Sequence, residues 1–100
     1  MELLPDVEAI FEFSEYRKNN IYDGYRPTHC LKEGCLTTGL HHYYNLDKET
    51  NEVIKGTIKF ITPEEYSNCL GVGQKILMYE GSKLVGEAKI IKIFNSLLEK

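Results

Sequence analysis

Apolar and polar residues alternate from residue 6 to residue 14, and this alternation limits what the chain can fold into more than any other feature. Val7, Ala9, Phe11 and Phe13 fall on one face of the segment, and mostly polar side chains fall on the other. A period of two is typical of a β-strand that is buried on one side. The segment is therefore predicted to be a half-buried strand.

Five further segments have strand character, and glycine-rich or polar turns separate them. A closed barrel would hide the strand edges that an open sheet exposes. We therefore predict an all-β fold, a small closed six-stranded Greek-key barrel, with residues 1–100 forming a single domain. The five segments are 28–31, 35–44 with a bulge or bend at Gly39, 53–61, 75–79 and 84–94.

The sequence has only one clear helical signal. Thr62, Pro63 and Glu65 match a capping box, in which a hydroxyl caps the first turn and a glutamate follows three residues later. We expect one short helical turn there and a frayed turn in the tail at 95–100. The polar stretches 17–20 and 45–51 are expected to be exposed loops.

Composition narrows the classes of partner. The net charge of -3 gives no overall electrostatic reason to bind a phosphate backbone, so a protein partner is favoured over free nucleic acid. The opening residues have no basic region and too short an apolar run for a signal peptide, and no later segment reaches membrane-spanning length. We expect a cytoplasmic protein with no membrane contact. Its odd number of cysteines, Cys30, Cys35 and Cys69, indicates reduced thiols.

The stretch 23–29 holds the first candidate binding residues. Gly24 gives a sharp reversal, and Pro27 pushes Arg26 into an extended conformation, so Tyr25 and Arg26 are expected at the mouth of a strand. Arg26 offers a planar fork of donors that suits a carboxylate or a phosphate. The alternative is that Arg26 satisfies loop carbonyls or an acidic residue of the barrel itself.

Cysteine and histidine residues form the one group with metal-binding or nucleophilic chemistry. Zinc sites usually contain cysteine pairs two to four residues apart, whereas Cys30 and Cys35 have four residues between them. His41 and His42 are neighbours in a strand, so they point to opposite faces and at most one could join an inward site with His29. A Cys-His nucleophile would lack an orienting third group. We therefore predict no metal, no cofactor and no catalysis.

Several motifs occur in the order found in one known family. The order of these motifs resembles the third, C-terminal barrel domain of the bacterial translation elongation factor Tu. The resemblance implies a six-stranded barrel whose surface, in the full factor, helps to hold the T arm of tRNA and touches exchange factors and the GTPase domain. The motifs are Asp6-Val7-Glu8-Ala9, Gly24-Tyr25-Arg26-Pro27, Thr37-Thr38-Gly39, Phe60-Ile61-Thr62-Pro63 and Tyr79-Glu80-Gly81-Ser82-Lys83-Leu84-Val85-Gly86.

The chain also departs from that family. It contains no Gly-x-x-x-x-Gly-Lys-Ser/Thr loop, so it lacks the residues with which the full factor binds and hydrolyses GTP. The stretch 45–51 stands where the family has a Pro-Gly-Asp turn, and the loop 64–73 is longer. The fold is therefore expected to transfer better than the function.

Together these patterns predict a non-catalytic protein-binding module, such as an immunity protein, an antitoxin or a regulatory decoy in translation. Its partner would be a toxin, a regulator or a translation component. Tyr43 and Tyr44 add an aromatic cluster beside His41 and His42. The alternative is a weak tRNA or RNA contact through Arg26, Lys55, Lys59 and Lys83. The residues predicted to contact a protein partner are Tyr25, Arg26, Pro27, Tyr43, Tyr44, Glu80 and Lys83.

Overall fold

The alternating segment at the start of the chain forms the first strand of the computed structural model, which describes residues 4–14, 21–44 and 54–100. The described part contains six strands and two short 3₁₀ helices. The predicted loops 17–20 and 45–51 lie outside the described residues. The strands are β1 (Val7–Phe13), β2 (Thr28–Lys32), β3 (Cys35–Tyr43), β4 (Ile54–Phe60), β5 (Lys75–Glu80) and β6 (Lys83–Ile93), and the 3₁₀ helices are Pro63–Tyr66 and Ser96–Leu98.

The six strands close into an antiparallel barrel in the order β1-β4-β3-β2-β5-β6, and β6 pairs with β1. β2, β3 and β4 are sequential neighbours, while β1 lies beside β4. This order is that of a Greek key. The predicted all-β, closed six-stranded barrel is therefore confirmed.

Alternation along each strand fills the inside of the barrel. On β1, Val7, Ala9 and Phe11 are buried, while the residues between them are only half-buried. Burial of large apolar side chains is the main stabilising term for a domain of this size, at about 1.5 to 3 kcal/mol for each one. The other fully buried apolar side chains are Ile58, Phe60, Leu70, Ile76, Met78, Val85, Ala88, Ile90 and Leu98.

The sequence predicted a bulge or a bend at Gly39, and this prediction is wrong. Gly39 lies within the continuous strand β3 and pairs with Phe60 on β4. The glycine is needed for space, because a Cβ atom there would lie 2.7 Å from His29 Cε1 and 2.7 Å from Ile58 Cγ2. The missing side chain leaves room for the His29 imidazole inside the barrel.

Replacing Gly39 with alanine is expected to lower the free energy of unfolding by about 2 kcal/mol, because two well-packed side chains must move to admit the methyl group. Gly71→Ala is the matched control, since its added Cβ would meet only the Lys100 side chain at 3.8 Å. Urea unfolding of both variants measures the difference. Equal stability of the two alanine variants would contradict this role for Gly39.

One end of the barrel, here called the lower end, is closed by the segments after β4 and β6. Leu70 forms a parallel bridge with Glu99, and the Leu70 amide donates to the Leu98 carbonyl over 2.8 Å. Leu98 is completely buried. The predicted helical turn in the tail is confirmed by the 3₁₀ helix Ser96–Leu98, but the tail is not frayed, because backbone hydrogen bonds and the buried Leu98 hold it.

The capping box at the start of the first 3₁₀ helix is also wrong in its detail. The Thr62 side chain makes no capping hydrogen bond, and its hydroxyl lies 3.4 Å from that of Thr37 instead. The turn is closed through the backbone, with the Glu65 amide donating to the Thr62 carbonyl over 3.1 Å. The Thr62 hydroxyl faces Thr37 on β3 and therefore does not cap the 3₁₀ helix.

Candidate functional site

Six strand ends meet at the end of the barrel opposite the 3₁₀ helices, here called the upper end. Because every neighbouring pair is antiparallel, β1, β3 and β5 finish there while β2, β4 and β6 begin there. All seven residues predicted to contact a partner belong to this end. They are Tyr25, Arg26 and Pro27 before β2, Tyr43 and Tyr44 at the end of β3, and Glu80 and Lys83 at the turn between β5 and β6.

The segment before β2 is held against β3 by backbone hydrogen bonds. The Gly24 amide donates to the His41 carbonyl over 2.9 Å, and the His41 amide donates to the Tyr25 carbonyl over 2.9 Å. Lower down, the Gly39 amide donates to the carbonyl of Pro27 over 3.1 Å. Gly24 has a φ of 92°, a left-handed conformation that favours glycine. This rigid approach confirms the tight entry into a strand that the sequence predicted.

Tyr25 points into the barrel. Only 3% of its surface is exposed, and its ring lies 5.8 Å from that of His41 and 6.1 Å from that of Phe13. Its hydroxyl donates a hydrogen bond to the Glu80 carboxylate, which ties the segment before β2 to the end of β5. Tyr25 therefore fixes the upper end from inside, and Pro27 beside it is buried as well.

Tyr43 is also directed inward, with 6% of its surface exposed. Its ring packs edge-on against Phe11 at 5.3 Å, and its amide donates to the Asp23 carboxylate over 2.8 Å. The adjacent Tyr44 is 46% exposed, as expected for the next residue along a strand. Of the predicted tyrosine pair, Tyr44 alone has a largely exposed side chain.

Four exposed side chains of the upper end, Tyr22, Arg26, Tyr44 and Lys83, form what we call the upper rim. Tyr22 is 53% exposed and its ring lies 5.6 Å from that of the buried Tyr25. Two aromatic rings and two cations thus share this end of the barrel. The sequence did not single out Tyr22, which is anchored by its contact with Tyr25.

Acidic side chains hold parts of the upper end in place. The Tyr44 hydroxyl donates to the Glu8 carboxylate over 2.7 Å, and this hydrogen bond, with a smaller effect of burial, raises the pKa of Tyr44 to about 12. His42 Nδ1 lies 2.8 Å from the carboxylate of Asp23. His42 therefore points outward on β3 while His41 points inward, as the alternation predicted.

A chain of polar groups runs through the apolar core below Tyr43. The Tyr43 hydroxyl lies 2.7 Å from His41 Nδ1, and His41 Nε2 lies 2.8 Å from His29 Nε2. At its far end, His29 Nδ1 lies 3.4 Å from the Thr37 carbonyl. His29 is fully buried and His41 is 1% exposed, so water cannot replace these partners.

The partners fix the direction of every hydrogen bond in this chain. The Thr37 carbonyl can only accept, so the Nδ1 of His29 carries a proton and its Nε2 accepts one from His41. The Nδ1 of His41 then accepts from the Tyr43 hydroxyl. Burial lowers the pKa of His29 to about 4 and, together with the neighbouring His29, holds the pKa of His41 well below its usual value of 6.5. Both rings are therefore neutral near pH 7.

Both imidazoles are shielded from solvent. A general base must reach a bound molecule, whereas in the described part of the chain hydrogen bonds join the two rings to each other, to the Tyr43 hydroxyl and to the Thr37 carbonyl. Cys30, Cys35 and Cys69 are half-buried free thiols. Within residues 4–14, 21–44 and 54–100, no group of three or more histidine, cysteine or acidic side chains is arranged to hold a metal ion.

The cations of the RNA-binding alternative do not form one patch. Arg26 precedes β2 and Lys83 begins β6, whereas Lys55 and Lys59 lie on β4, two strands away from each of them around the barrel. The ammonium group of Lys59 is 3.3 Å from the buried carboxylate of Asp6. A single phosphate backbone would have to wrap around the barrel to reach all four.

Sequence reasoning missed the pairing of His29 with His41 and the burial of Asp6. One signal was available: His29, His41 and Tyr43 occupy inward positions of period-two strands, and Gly39 leaves space on the same face. Finding the pair also required the register of β2 and β3, which depends on the whole barrel.

No protein-family model matches this sequence, and a search of curated proteins returned no match. Among the described residues, no helix combines the length and the apolar character needed to cross a membrane.

Proposed function

We propose that this chain is a non-catalytic protein-binding module that contacts its partner through the upper rim. The observation that carries the proposal is the separation of buried from exposed side chains at the upper end. The buried rings of His29, His41, Tyr25 and Tyr43 are hydrogen-bonded inside the core. Tyr22, Tyr44 and Arg26 are exposed, and backbone hydrogen bonds hold the segment that carries Arg26. Tyrosine and arginine are the residue types that most often dominate protein interfaces.

The mixed chemistry of the upper rim supports a partner surface that carries both acidic and apolar groups. Arg26 and Lys83 suit carboxylates, and the two exposed tyrosines suit an apolar or polar surface next to them. The resemblance to the elongation factor Tu barrel leads us to propose that the partner is a toxin, a regulator or a translation component. The chain would then act as an immunity protein, an antitoxin or a decoy in the cytoplasm.

Affinity capture from the native cytosol at physiological salt tests the proposal. The purified partner is then titrated against Arg26→Glu and Tyr44→Ala, and each change is expected to weaken binding about tenfold or more. Lys89→Glu and Leu97→Ala are matched controls, because both residues are exposed away from the upper rim. If nothing is captured, or if the rim variants bind as the native chain does, the proposal fails.

A titration with labelled tRNA separates protein binding from the RNA-binding alternative. Phosphate contacts weaken steeply as salt rises, so RNA binding must be visible at low salt if it occurs at all. We expect none at the upper rim, because Lys59 is held by the buried Asp6 carboxylate and the chain carries a net charge of -3. Binding at low salt that Arg26→Glu abolishes would favour RNA over a protein partner.

A further inference from the structure

We propose that His41 makes the segment 22–27, here called the entry segment, open away from the barrel in mild acid. The entry segment lies before β2 and belongs to no strand. It carries Tyr22 and Arg26, two of the four side chains of the upper rim. The inference concerns the chain alone and does not depend on a partner.

The entry segment is attached to His41 through both backbone groups of that residue. The Gly24 amide donates to the His41 carbonyl, and the His41 amide donates to the Tyr25 carbonyl, each over 2.9 Å. The Tyr25 ring lies edge-on to the His41 imidazole, with 5.8 Å between the ring centroids. The Tyr25 side chain thus covers His41 at the upper end of the barrel.

A second proton on His41 is unfavourable while the entry segment is in place. His41 Nε2 donates to His29, so the proton has to bind Nδ1, which accepts from the Tyr43 hydroxyl over 2.7 Å. The Tyr43 hydroxyl then has to turn its hydrogen away from His41. The new charge is also buried, because His41 is 1% exposed. A buried charge without water or an opposite charge is costly.

Neighbouring acidic groups do not offset that charge. The Glu80 carboxylate on β5 accepts from the Tyr25 hydroxyl, and the Asp23 carboxylate accepts from the Tyr43 amide. Asp6 accepts from the Phe60 amide at the lower end. The buried residues of β1, β4 and β6 are apolar or glycine. The titratable side chains that meet the imidazole are therefore His29, Tyr43 and Tyr25.

The entry segment is the neighbour of His41 that can move most easily. Phe11, whose ring lies 4.5 Å from that of His41, is held in β1 between β4 and β6. His29 is packed against Gly39, where even a Cβ atom would lie 2.7 Å from its ring. The entry segment joins no strand ladder, so its movement leaves the pairing of all six strands intact.

Opening of the entry segment lets water reach His41 and removes the cost of protonation. A solvated imidazole has a pKa of about 6.5, whereas burial holds the pKa of His41 well below that value in the closed barrel. The open form therefore binds a proton that the closed form does not. For one exposed ring, opening becomes about 25-fold more favourable at pH 5 than at pH 7. Opening displaces Tyr22 and Arg26 from the upper rim.

Amide hydrogen exchange of the native chain at about pH 7 and pH 5 tests the inference. The probes are the amides of Gly24 and His41, whose hydrogen bonds close the entry segment. Their protection factors, which correct for the intrinsic exchange rate, are expected to fall about 25-fold between these pH values. A local opening exposes little surface, so their exchange at pH 5 should not depend on low concentrations of urea. The buried Ile90 amide should depend on urea, because global unfolding exposes it.

Two variants identify the group that takes up the proton. His41→Gln cannot titrate and should keep the same protection of Gly24 at both pH values. His42→Gln is the matched control, because His42 is exposed on the same strand and its Nδ1 lies 2.8 Å from the Asp23 carboxylate of the entry segment. This variant should retain the 25-fold change of the native chain.

Three results overturn the inference. The first is equal protection of Gly24 and His41 at both pH values in the native chain. The second is exchange of these two amides that depends on urea as strongly as that of Ile90, because the entry segment then opens only when the whole barrel unfolds. The third is loss of the pH dependence in His42→Gln. If His41→Gln does not fold, the urea dependence of the native chain and the His42→Gln variant decide the matter.

Discussion

Acidification from about pH 7 to about pH 4.5 is expected to lower the free energy of unfolding by a few kcal/mol, on the order of one pKa unit's worth for each pH unit crossed, through the buried pair His29 and His41. Both imidazoles are buried in an apolar core and are neutral in the folded chain. Protonating His29 would place two N–H donors against each other across the 2.8 Å contact between the two Nε2 atoms, and protonating His41 would put a proton on the Nδ1 that accepts from the Tyr43 hydroxyl. The two imidazoles therefore bind protons less readily in the folded barrel than in the unfolded chain.

The direction of the effect follows from the pKa values of the two states. An unfolded histidine has a pKa of 6.5, while burial lowers the pKa of folded His29 to about 4 and also lowers that of His41. Above pH 6.5 the rings are neutral in both states, so the stability they provide is fully present. Between pH 6.5 and about 4 the unfolded chain binds more protons, and stability falls with each step toward acid.

Urea unfolding at a series of pH values between about 7 and 5 measures this loss. The slope of stability against pH should correspond to about one to two protons over this range and should vanish above about pH 6.5. His29→Met with His41→Met keeps every carboxylate and should remove most of the slope. If that variant does not fold, NMR titration of the native imidazoles decides the matter. If both rings of the folded protein titrate near pH 6.5, burial does not lower their pKa values and the predicted loss of stability in acid is wrong.

The surroundings of the two rings explain why no other group is expected to cancel the effect. Phe11, Phe60 and Tyr25 pack around them with their rings, and the Thr37 carbonyl accepts from His29. The carboxylate bonded to Tyr25 belongs to Glu80 and reaches the hydroxyl of that tyrosine, not an imidazole. No described hydrogen bond or ion pair joins a carboxylate to either buried imidazole.

The barrel could be predicted from the sequence because its strands and turns are determined largely by residues that are neighbours in the chain. The alternation of β1 and the turn at Gly81, whose φ is 62°, depend on neighbouring residues alone. Gly39 and Thr62 were misread because their partners are distant in sequence. The space beside Gly39 belongs to His29, and the hydroxyl near Thr62 belongs to Thr37.

The candidate site could be predicted only in part, for the same physical reason. Local signals placed Arg26 and Tyr44 correctly at strand ends with exposed side chains. They did not reveal that Tyr25 and Tyr43 point inward, because which face of a strand is buried depends on how the barrel closes. Whether Arg26 and Tyr44 bind a partner remains a prediction.

Replacing Asp6 with alanine is expected to lower the free energy of unfolding by about 4 kcal/mol, since it leaves buried donors without an acceptor. Asp6 is 2% exposed, and its carboxylate accepts from the Phe60 amide over 2.8 Å and from Asn95 Nδ2 over 2.9 Å. The ammonium group of Lys59 lies 3.3 Å away. The carboxylate thus joins β4 to the segment after β6.

The backbone of Asp6 also joins β4 to the segment after β6, so a series of side-chain variants measures the carboxylate separately. The Asp6 amide donates to the Ile58 carbonyl over 2.9 Å, and the Asp6 carbonyl accepts from the Phe94 amide over 2.8 Å. These bonds survive any side-chain change, so the variants isolate the carboxylate. Asp6→Asn keeps an acceptor for the Phe60 amide and should cost about 1 to 2 kcal/mol. Lys59→Met keeps the aliphatic stem and removes only the charge.

Urea unfolding of Asp6→Ala, Asp6→Asn and Lys59→Met at neutral pH ranks the contributions, with Glu99→Ala as an exposed control. We expect the alanine variant to lose the most, because the buried Phe60 amide then has no partner. If Lys59→Met costs as much as Asp6→Ala, the ion pair rather than the amide bond dominates. A loss below about 1 kcal/mol for Asp6→Ala would mean that water reaches the Phe60 amide and that the lower end is open.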